Sequence, residues 1–251
     1  MSSVGLANDE GSRLGVLRTA TDAAAGFLPD ARTIRPIENA IDRATETVLG
    51  GRTKRLMDLV VALVALLVSA PLMLLIVVLI LATSGRPVLF KQQRIGFGGR
   101  PFICLKFRTM ARESEKILKD HLATNPQAAT EWMETRKLRC DPRLTGVGRF
   151  LRRASLDELP QLINIIAGDM SCVGPRPVVV DELALYGDHV KDYLRARPGL
   201  TGLWQVSGRN ALGYAQRVKL DWTYVNNWSF RYDILILCLT LLAVLRFEDT
   251  A

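Results

Sequence analysis

The chain has 251 residues, of which 49% are hydrophobic and 23% are charged, so its composition is that of a folded protein and excludes a disordered one. Lysine and arginine outnumber aspartate and glutamate by 33 to 25, and the net charge of +8 favours an anionic partner, such as a membrane surface, a nucleic acid or a phosphorylated substrate. Four scattered cysteines without a CxxC pair and only two histidines argue against a disulfide framework, a zinc site and histidine-based catalysis.

An uncharged apolar segment, Leu59–Ala82, follows an N-terminal region that is rich in Ser, Ala, Gly and Thr. We predict that residues 1–53 form a mobile tail. The apolar segment is long enough to cross the hydrocarbon core of a bilayer, which is about 30 Å thick. It begins far from Met1 and lacks a small-residue cleavage site, so it does not have the pattern of a removable signal peptide. We therefore expect it to stay in a membrane.

Two features of this segment favour a hairpin that enters and leaves by the same face. Pro71, with Ser69 close by, lies near its midpoint, where a missing N–H and a bulky ring bend or break a helix. Arginines and lysines flank both ends, and such residues mark the cytoplasmic side of a membrane segment. We therefore predict a re-entrant helix–break–helix over residues 54–86. The alternative is a spanning helix with a proline kink, because such helices tolerate proline.

The remaining residues, 87–251, are predicted to form a mostly helical α+β cytosolic domain at the membrane face. Val88–Phe107 has the pattern of two short strands joined at Gly96–Gly99, which predicts a small β-hairpin. Polar or amphipathic helices are expected over Ala111–Ala123, Gln127–Leu138 and Asp181–Arg195. The apolar segment Ile234–Leu245 is too short to span a bilayer, so it belongs to the core or to the membrane interface.

Two adjacent carboxylates, Asp157 and Glu158, lie between a pair of arginines and an apolar helical segment. Ser155-x-x-Glu158 has the spacing of a capping box, in which Ser155 is the N-cap of a helix and Glu158 closes the box. Pro160 instead favours the first helical position, and a helix that starts there leaves both carboxylates free at its mouth. The residues therefore allow either a structural or a catalytic role.

Several basic residues lie in short, rigid contexts, which lower the entropy cost of holding a side chain against a phosphate group. Lys106 and Arg108 flank an aromatic residue at the end of a predicted strand, and Arg176 lies between two prolines. Arg197 and Arg209 are predicted at turns. Each of these residues alone fits a solvated surface. Together with the carboxylate pair and the membrane anchor, they predict a site for a multiply charged phosphate substrate.

Five sequence motifs occur in series: KFRTM (Lys106–Met110), DPRLTGVGRFLRRASLDELPQL (Asp141–Leu162), GDMSCVGPRP (Gly168–Pro177), RPGLTGLWQVSGRN (Arg197–Asn210) and YVNNWS (Tyr224–Ser229). In these motifs and their order the chain resembles the bacterial sugar transferases known as monotopic phosphoglycosyl transferases. The similarity extends from about Lys54 to the C-terminus, and the motifs are most similar to those of short members that start exopolysaccharide synthesis with galactose 1-phosphate or glucose 1-phosphate.

The resemblance implies a mechanism and a set of residues. Asp157 matches the nucleophile that attacks the sugar-bearing phosphorus of a UDP-sugar, releases UMP and holds sugar 1-phosphate covalently. Glu158 matches the partner carboxylate that binds Mg²⁺. Ser69 and Pro71 match the helix-breaking pair of the membrane segment, although Ala70 separates them here. The resemblance also implies that four basic residues line the site: Lys106, Arg108, Arg152 and Arg176. Three further residues fall in matching motifs, but the resemblance does not define their individual roles: Arg197, Arg209 and Asp221.

The resemblance therefore implies a Mg²⁺-dependent transferase at the cytoplasmic face of the bacterial inner membrane, with a UDP-sugar donor and undecaprenyl phosphate as acceptor. Two alternatives stay open: direct transfer in a ternary complex, with the carboxylates binding only metal, and a non-enzymatic membrane-tethered scaffold whose basic face binds anionic lipid. Nucleic-acid binding is disfavoured, because the basic residues are interspersed with acidic ones and the anchor places them at a bilayer. Homo-oligomerisation and the choice of sugar are left open.

Overall fold

The computed structural model describes residues 47–135, 138, 140–208 and 212–245, and residues 1–46 of the predicted tail lie outside this range. The described chain is mostly helical with two small sheets, as the sequence predicts. The helices are α1 (Gly51–Ser84), α2 (Ser114–Thr124), α3 (Pro126–Thr135), α4 (Gly146–Arg153), α5 (Gln161–Ala167), α6 (Val180–Leu183), α7 (Val190–Leu194), α8 (Leu203–Val206), α9 (Tyr214–Asn226) and α10 (Phe230–Leu245). The strands are β1 (Leu89–Ile95), β2 (Pro101–Phe107), β3 (Ser171–Val173) and β4 (Gly199–Thr201).

The predicted β-hairpin is confirmed, since β1 and β2 pair in antiparallel register from Leu89 opposite Phe107 to Ile95 opposite Pro101. The prediction of one helix over Asp181–Arg195 is wrong. The chain instead forms α6, a 3₁₀ segment at Ala184–His189 and α7, and the 3₁₀ segment contains Gly187 at φ 53°. A glycine adopts this left-handed conformation without the steric cost that other residues meet, so it can interrupt an otherwise helical pattern.

The apolar segment forms one continuous helix, α1, and its length and composition are sufficient to cross a membrane. The helical backbone continues through Pro71, so the predicted break is not a non-helical interruption. Ser69 donates its hydroxyl to the carbonyl of Leu66 at 3.4 Å, a contact within the same helix. The placement of α1 relative to the rest of the molecule therefore depends on the contacts at its two ends and not on an interruption at its midpoint.

Buried polar contacts attach the N-terminal end of α1 to the rest of the molecule. Lys54 donates to Asp233 on α10 at 2.6 Å, and Asp233 also accepts a hydrogen bond from the Tyr224 hydroxyl at 2.6 Å. Asp58 accepts from the hydroxyl of Ser171 and from the backbone N–H of Cys172, both at 2.9 Å. Because a buried charge is tolerated only when it is paired or hydrogen-bonded, these contacts fix the position at which the helix enters the domain.

The C-terminal end of α1 contacts the same domain. Ile76 and Ile80 are buried against Phe107 of β2 and Leu151 of α4. Arg108 donates from Nη2 to the carbonyls of the last residues of the helix, Ser84 and Gly85, at 2.6 and 2.7 Å. Between these two attachments α1 carries a set of exposed apolar side chains: Leu63, Val64, Leu67, Val68, Leu72, Leu74 and Leu75. Both ends of α1 are thus held by one domain, while the middle presents apolar surface.

The main core brings two of the sequence motifs side by side. β3 and β4 pair in parallel, with Ser171 opposite Gly199 and Val173 opposite Thr201. The two segments approach so closely that a Cβ added to Gly199 would lie 2.1 Å from the backbone nitrogen of Gly174. These glycines therefore serve the packing of one backbone on another, and they place the segment that bears Arg176 beside the segment that leads into α8.

Candidate active site

A cavity of about 900 Å³ lies between the β1–β2 hairpin, the 3₁₀ turn Leu156–Glu158 and helices α1, α8 and α10. Charged side chains and apolar side chains of α1 and α10 both line it. Six of the predicted site residues line it: Lys106, Arg108, Arg152, Asp157, Glu158 and Arg176. The structure thus brings together residues that are up to 70 positions apart in the chain (176 minus 106).

Asp157 is nearly buried at the wall of this cavity, with 8% of its surface exposed. Burial, and after it the neighbouring charge of Glu158, raises the pKa of its carboxyl group from 3.8 to about 6, while Lys106 and Arg152 oppose the shift. The carboxylate is therefore ionised at neutral pH but poorly solvated. A carboxylate in this state is a better nucleophile than one in bulk water, because less water must be displaced before it reacts.

The local backbone does not form the capping box that the spacing of Ser155 and Glu158 allows. Ser155 lies in the left-handed region at φ 55° and its side chain makes no capping hydrogen bond. Glu158 instead accepts a hydrogen bond from Lys106 at 2.6 Å. Helix α5 begins at Gln161, one residue after the start at Pro160 that the alternative interpretation predicts. The two carboxylates are therefore left at the mouth of the helix, where they face the cavity.

Arg152 is held beside the carboxylates by the segment that follows β2. Its Nε donates to the hydroxyl of Thr109 at 3.0 Å. Helix α4, which carries Arg152, begins at Gly146, and the hydroxyl of its N-cap residue Thr145 accepts from the backbone N–H of Gly148. A Cβ added to Gly148 would lie 2.0 Å from the carbonyl oxygen of Thr109, so a glycine is required where α4 crosses this segment. The close crossing sets the position of Arg152.

Among the described residues, the guanidinium group of Arg108 makes its structural hydrogen bonds through one nitrogen only. Nη2 holds the C-terminal carbonyls of α1, whereas Nε and Nη1 are buried without a hydrogen-bond partner in the described part of the chain. Burial lowers the pKa of Arg108, and the charge of Arg112 lowers it further. Because Arg108 also lines the cavity, its unpartnered nitrogens are donors available to an anionic ligand.

Two other predicted residues, Arg197 and Asp221, do not line this cavity. Arg197 lies in a separate groove and donates to the carbonyl of Gly168 at 2.8 Å. Asp221 is buried and accepts from the Tyr186 hydroxyl at 2.8 Å, and burial raises its pKa to about 7. Arg209 lies outside the described residues.

Trp204 is a cavity residue that the sequence analysis did not single out. It is 4% exposed, and the guanidinium groups of Arg176 and Arg217 lie 5.6 and 5.0 Å from the centroids of its rings. Such cation–π contacts restrict the guanidinium orientation, so Trp204 helps to hold Arg176 at the cavity wall. The sequence signal was the tryptophan within the RPGLTGLWQVSGRN motif, but nothing local connects it to the GPRP motif.

Few of the described side chains that line the cavity are carboxylates that could bind a divalent cation. Within the described residues, no group of three or more histidine, cysteine, aspartate or glutamate side chains is arranged to hold a metal ion. Mg²⁺, however, commonly binds through one or two carboxylates together with substrate phosphates and water. Glu158 lines the cavity with 35% of its side chain exposed, which fits that mode of binding.

Comparison with known proteins identifies the class to which this fold and site belong. Residues 49–247 match the family model described as "Bacterial sugar transferase", and the chain belongs to this family. It is 49% identical over 231 residues to the exopolysaccharide production protein ExoY of Rhizobium meliloti, an alignment that covers 91% of this chain and 97% of that protein.

Two further relatives carry names that state a reaction. The undecaprenyl-phosphate galactose phosphotransferase of Salmonella typhimurium is 46% identical over 226 residues, which are 90% of this chain and 46% of that protein. The UDP-glucose:undecaprenyl-phosphate glucose-1-phosphate transferase of Xanthomonas campestris pv. campestris is 38% identical over 200 residues, which are 76% of this chain and 38% of that protein.

Proposed function

We propose that the protein transfers hexose 1-phosphate, with galactose or glucose as the hexose, from a UDP-sugar to undecaprenyl phosphate and releases UMP, as an initiating step of exopolysaccharide assembly. The observation that carries this proposal is the nearly buried, ionised Asp157 within a ring of basic side chains in a 900 Å³ cavity. The names of the relatives from Salmonella and Xanthomonas support the donor and acceptor classes.

In the first half of the proposed reaction, a carboxylate oxygen of Asp157 attacks the sugar-bearing phosphorus. The bond from that phosphorus to the bridging oxygen breaks, and UMP leaves with the bond's electrons. In the second half, a phosphate oxygen of the lipid attacks the same phosphorus and releases the carboxylate. An anhydride bond is exchanged for another anhydride bond at each step, so a single nucleophile can serve both halves reversibly.

The basic residues stabilise the charge that develops on the phosphoryl oxygens. Arg152 and Arg176 are held in place by Thr109 and Trp204, and Arg108 offers two unpartnered nitrogens. Groups that are positioned before the reaction stabilise a transition state without reorganising, which is the main source of catalysis in phosphoryl transfer. Glu158 is the carboxylate that would hold Mg²⁺, which when bound with the diphosphate would neutralise part of its charge.

The contacts of α1 support a re-entrant, monotopic placement at the cytoplasmic face of the inner membrane. The stretch of α1 between its two attachments, residues 63–75, is about 20 Å long at 1.5 Å per residue. A bilayer core is about 30 Å thick, so this stretch is too short to separate the two attachments across it. The apolar lining of the cavity includes Val61 and Ala65 of α1 and Leu237 of α10, side chains suited to contact with a prenyl chain.

A donor-only reaction tests the covalent mechanism. Purified protein incubated with UDP-galactose or UDP-glucose and Mg²⁺, without lipid acceptor, is expected to release UMP in an amount close to one per active protein molecule. Mass spectrometry of acid-quenched protein should then show a hexose phosphate adduct on Asp157. The Asp157→Asn variant should show neither, whereas Asp188→Asn, a change at an exposed position, should behave as wild type.

Two outcomes separate the alternatives. If product accumulates in the presence of acceptor but no adduct forms and no UMP is released without acceptor, transfer is direct and the covalent step is refuted. If no UMP appears with any UDP-sugar even with acceptor, the transferase proposal itself is refuted.

A further inference from the structure

A second concave surface lies outside the catalytic cavity, at the N-terminal end of α1. It encloses about 470 Å³ and is lined by Arg52, Arg55, Leu56, Leu59 and Arg197, with Thr47, Val48 and Gly51 completing its wall. We call it the arginine groove. It lies beside the buried contacts of Lys54 and Asp58, so it is at the level where the chain passes from the domain into the apolar part of α1.

Two of the three arginines are fixed by the C-terminal end of α5. Arg55 donates from Nη1 and Nη2 to the carbonyls of Ile165 and Ile166 at 2.5 and 2.8 Å. Arg197 donates from Nε to the carbonyl of Gly168 at 2.8 Å. These bonds hold the guanidinium groups in place at the wall of the groove, which lowers the entropy cost of binding a ligand there.

The groove concentrates positive charge that the protein does not fully pair. Neither Arg52, Arg55 nor Arg197 forms an ion pair with a described carboxylate. Burial lowers the pKa of Arg197, and the charge of Arg55 lowers it further, while Asp58 and Asp169 oppose the shift. The terminal nitrogens of Arg197 have no hydrogen-bond partner in the described chain, and an anion placed between the guanidinium groups would relieve their mutual repulsion.

The other wall of the groove is apolar and continues toward the bilayer. Leu56 is 65% exposed, and Leu59 forms the groove wall one turn further along α1. Val60 and Leu63 extend this surface at 54% and 52% exposure into the apolar stretch of the helix. A ligand that follows both walls has a phosphate at one end and hydrocarbon at the other, which is the chemistry of a phospholipid rather than of free phosphate.

We propose that the arginine groove binds the headgroup phosphate of an anionic phospholipid of the phosphatidylglycerol class, with its acyl chains along Leu56 and Leu59. Arg52 and Arg197 contact the phosphate, and Arg55 contributes charge. The site differs from the catalytic cavity, with which it shares no lining residue. The bound lipid would hold the entry point of α1 at the headgroup level. This inference requires α1 to lie in a membrane, but it does not depend on the proposed reaction.

The test uses the full chain in neutral detergent micelles to which phosphatidylglycerol or phosphatidylcholine is added. Phosphatidylglycerol is expected to raise the midpoint of thermal unfolding in a saturable way, because a ligand that binds only the folded state stabilises it. Phosphatidylcholine should produce no comparable shift. Arg52→Gln should weaken the apparent affinity for phosphatidylglycerol about fivefold, the factor that corresponds to about 1 kcal/mol per basic residue at an anionic lipid surface.

Arg52 is the preferred position for substitution because its side chain is exposed and makes no described hydrogen bond or ion pair, so the variant should fold normally. Thermal unfolding of the variant in micelles with phosphatidylcholine checks that it folds normally. Arg231→Gln, at an exposed arginine outside the groove, is the matched control and should retain wild-type affinity. If both variants weakened the affinity for phosphatidylglycerol equally, the effect would be one of general surface charge, and the proposed lipid site in the arginine groove would be refuted.

Two further arms identify the ligand. Inorganic phosphate at millimolar concentration should not reproduce the shift, and an equal shift would assign the groove to free phosphate instead of lipid. No shift with phosphatidylglycerol in the wild-type protein would refute the proposal outright. Release of UMP without acceptor is measured on the same preparations, so failure of the lipid site is distinguished from failure of the proposed function.

Discussion

Replacing Asp157 with asparagine should stabilise the protein at neutral pH while it abolishes the covalent step. The folded protein raises the pKa of this carboxyl group from 3.8 to about 6, chiefly by burial and secondarily through Glu158. The folded state therefore binds the proton more tightly than the unfolded state, and ionised Asp157 destabilises the fold. A shift of about 2 pH units at 1.36 kcal/mol each corresponds to about 3 kcal/mol, which is an upper limit for the gain.

The pH dependence of this effect has a defined sign. Below pH 3.8 the carboxyl group is protonated in both states and contributes no difference. Between pH 3.8 and about 6 the penalty grows, because only the unfolded chain is then ionised to a large extent, and above pH 6 it is complete. Asparagine does not ionise, so the stability difference between the variant and the wild type should follow the same course.

The assay is thermal unfolding of both proteins in the same detergent from pH 4 to pH 8. For a protein of this size about 1 kcal/mol shifts the unfolding midpoint by 2 to 4 °C, so the variant should unfold up to about 6 to 12 °C higher at pH 7.5. The advantage should shrink toward pH 4. Asp188→Asn, at an exposed position, should show no such trend. A pH-independent difference, or a variant that is less stable at pH 7.5, would refute the argument that burial opposes ionisation of Asp157.

Two further predictions concern packing. Gly148→Ala should destabilise the fold by about 3 kcal/mol and lower the rate of UMP release, because its Cβ would lie 2.0 Å from the Thr109 carbonyl oxygen. Gly146→Ala in the same helix is the control: its Cβ meets nothing within 4 Å, so the variant should be neutral or slightly stabilising. Thermal unfolding and turnover of both variants check this, and equal effects would contradict the crowding argument. Lys54→Met should lower the free energy of unfolding by about 3 to 5 kcal/mol, because buried Asp233 is left without its cation. The double variant Lys54→Met/Asp233→Leu should recover part of that loss, as measured by denaturant unfolding. A double variant that is no more stable than the single variant would contradict this prediction.

Local patterns in the sequence determined the elements whose partners are near in the chain. Alternating residues on either side of Gly96–Gly99 predicted the β1–β2 hairpin, which depends on a turn and on pairing across it. Helix α5 ends before Gly168, which adopts φ 98°, a conformation that favours glycine after the end of a helix. The uncharged segment predicted the long apolar helix, because its composition alone limits where it can lie. The family motifs likewise indicated six residues that the structure places around one cavity.

Tertiary packing decided which of several local possibilities each residue adopts. Ser155 and Glu158 have the spacing of a capping box, but Lys106, 52 positions earlier, pairs with Glu158. Arg197 resembles a substrate-binding turn residue in the sequence, yet the carbonyl of Gly168 holds it in the arginine groove.

The attachment of α1 likewise depends on contacts that no local pattern records. Lys54 pairs with Asp233 across 179 positions, and Arg108 reaches the end of the same helix. Composition and periodicity report how a segment divides its surface between water and hydrocarbon. They do not report which distant donor meets a buried acceptor, and that choice requires the folded chain.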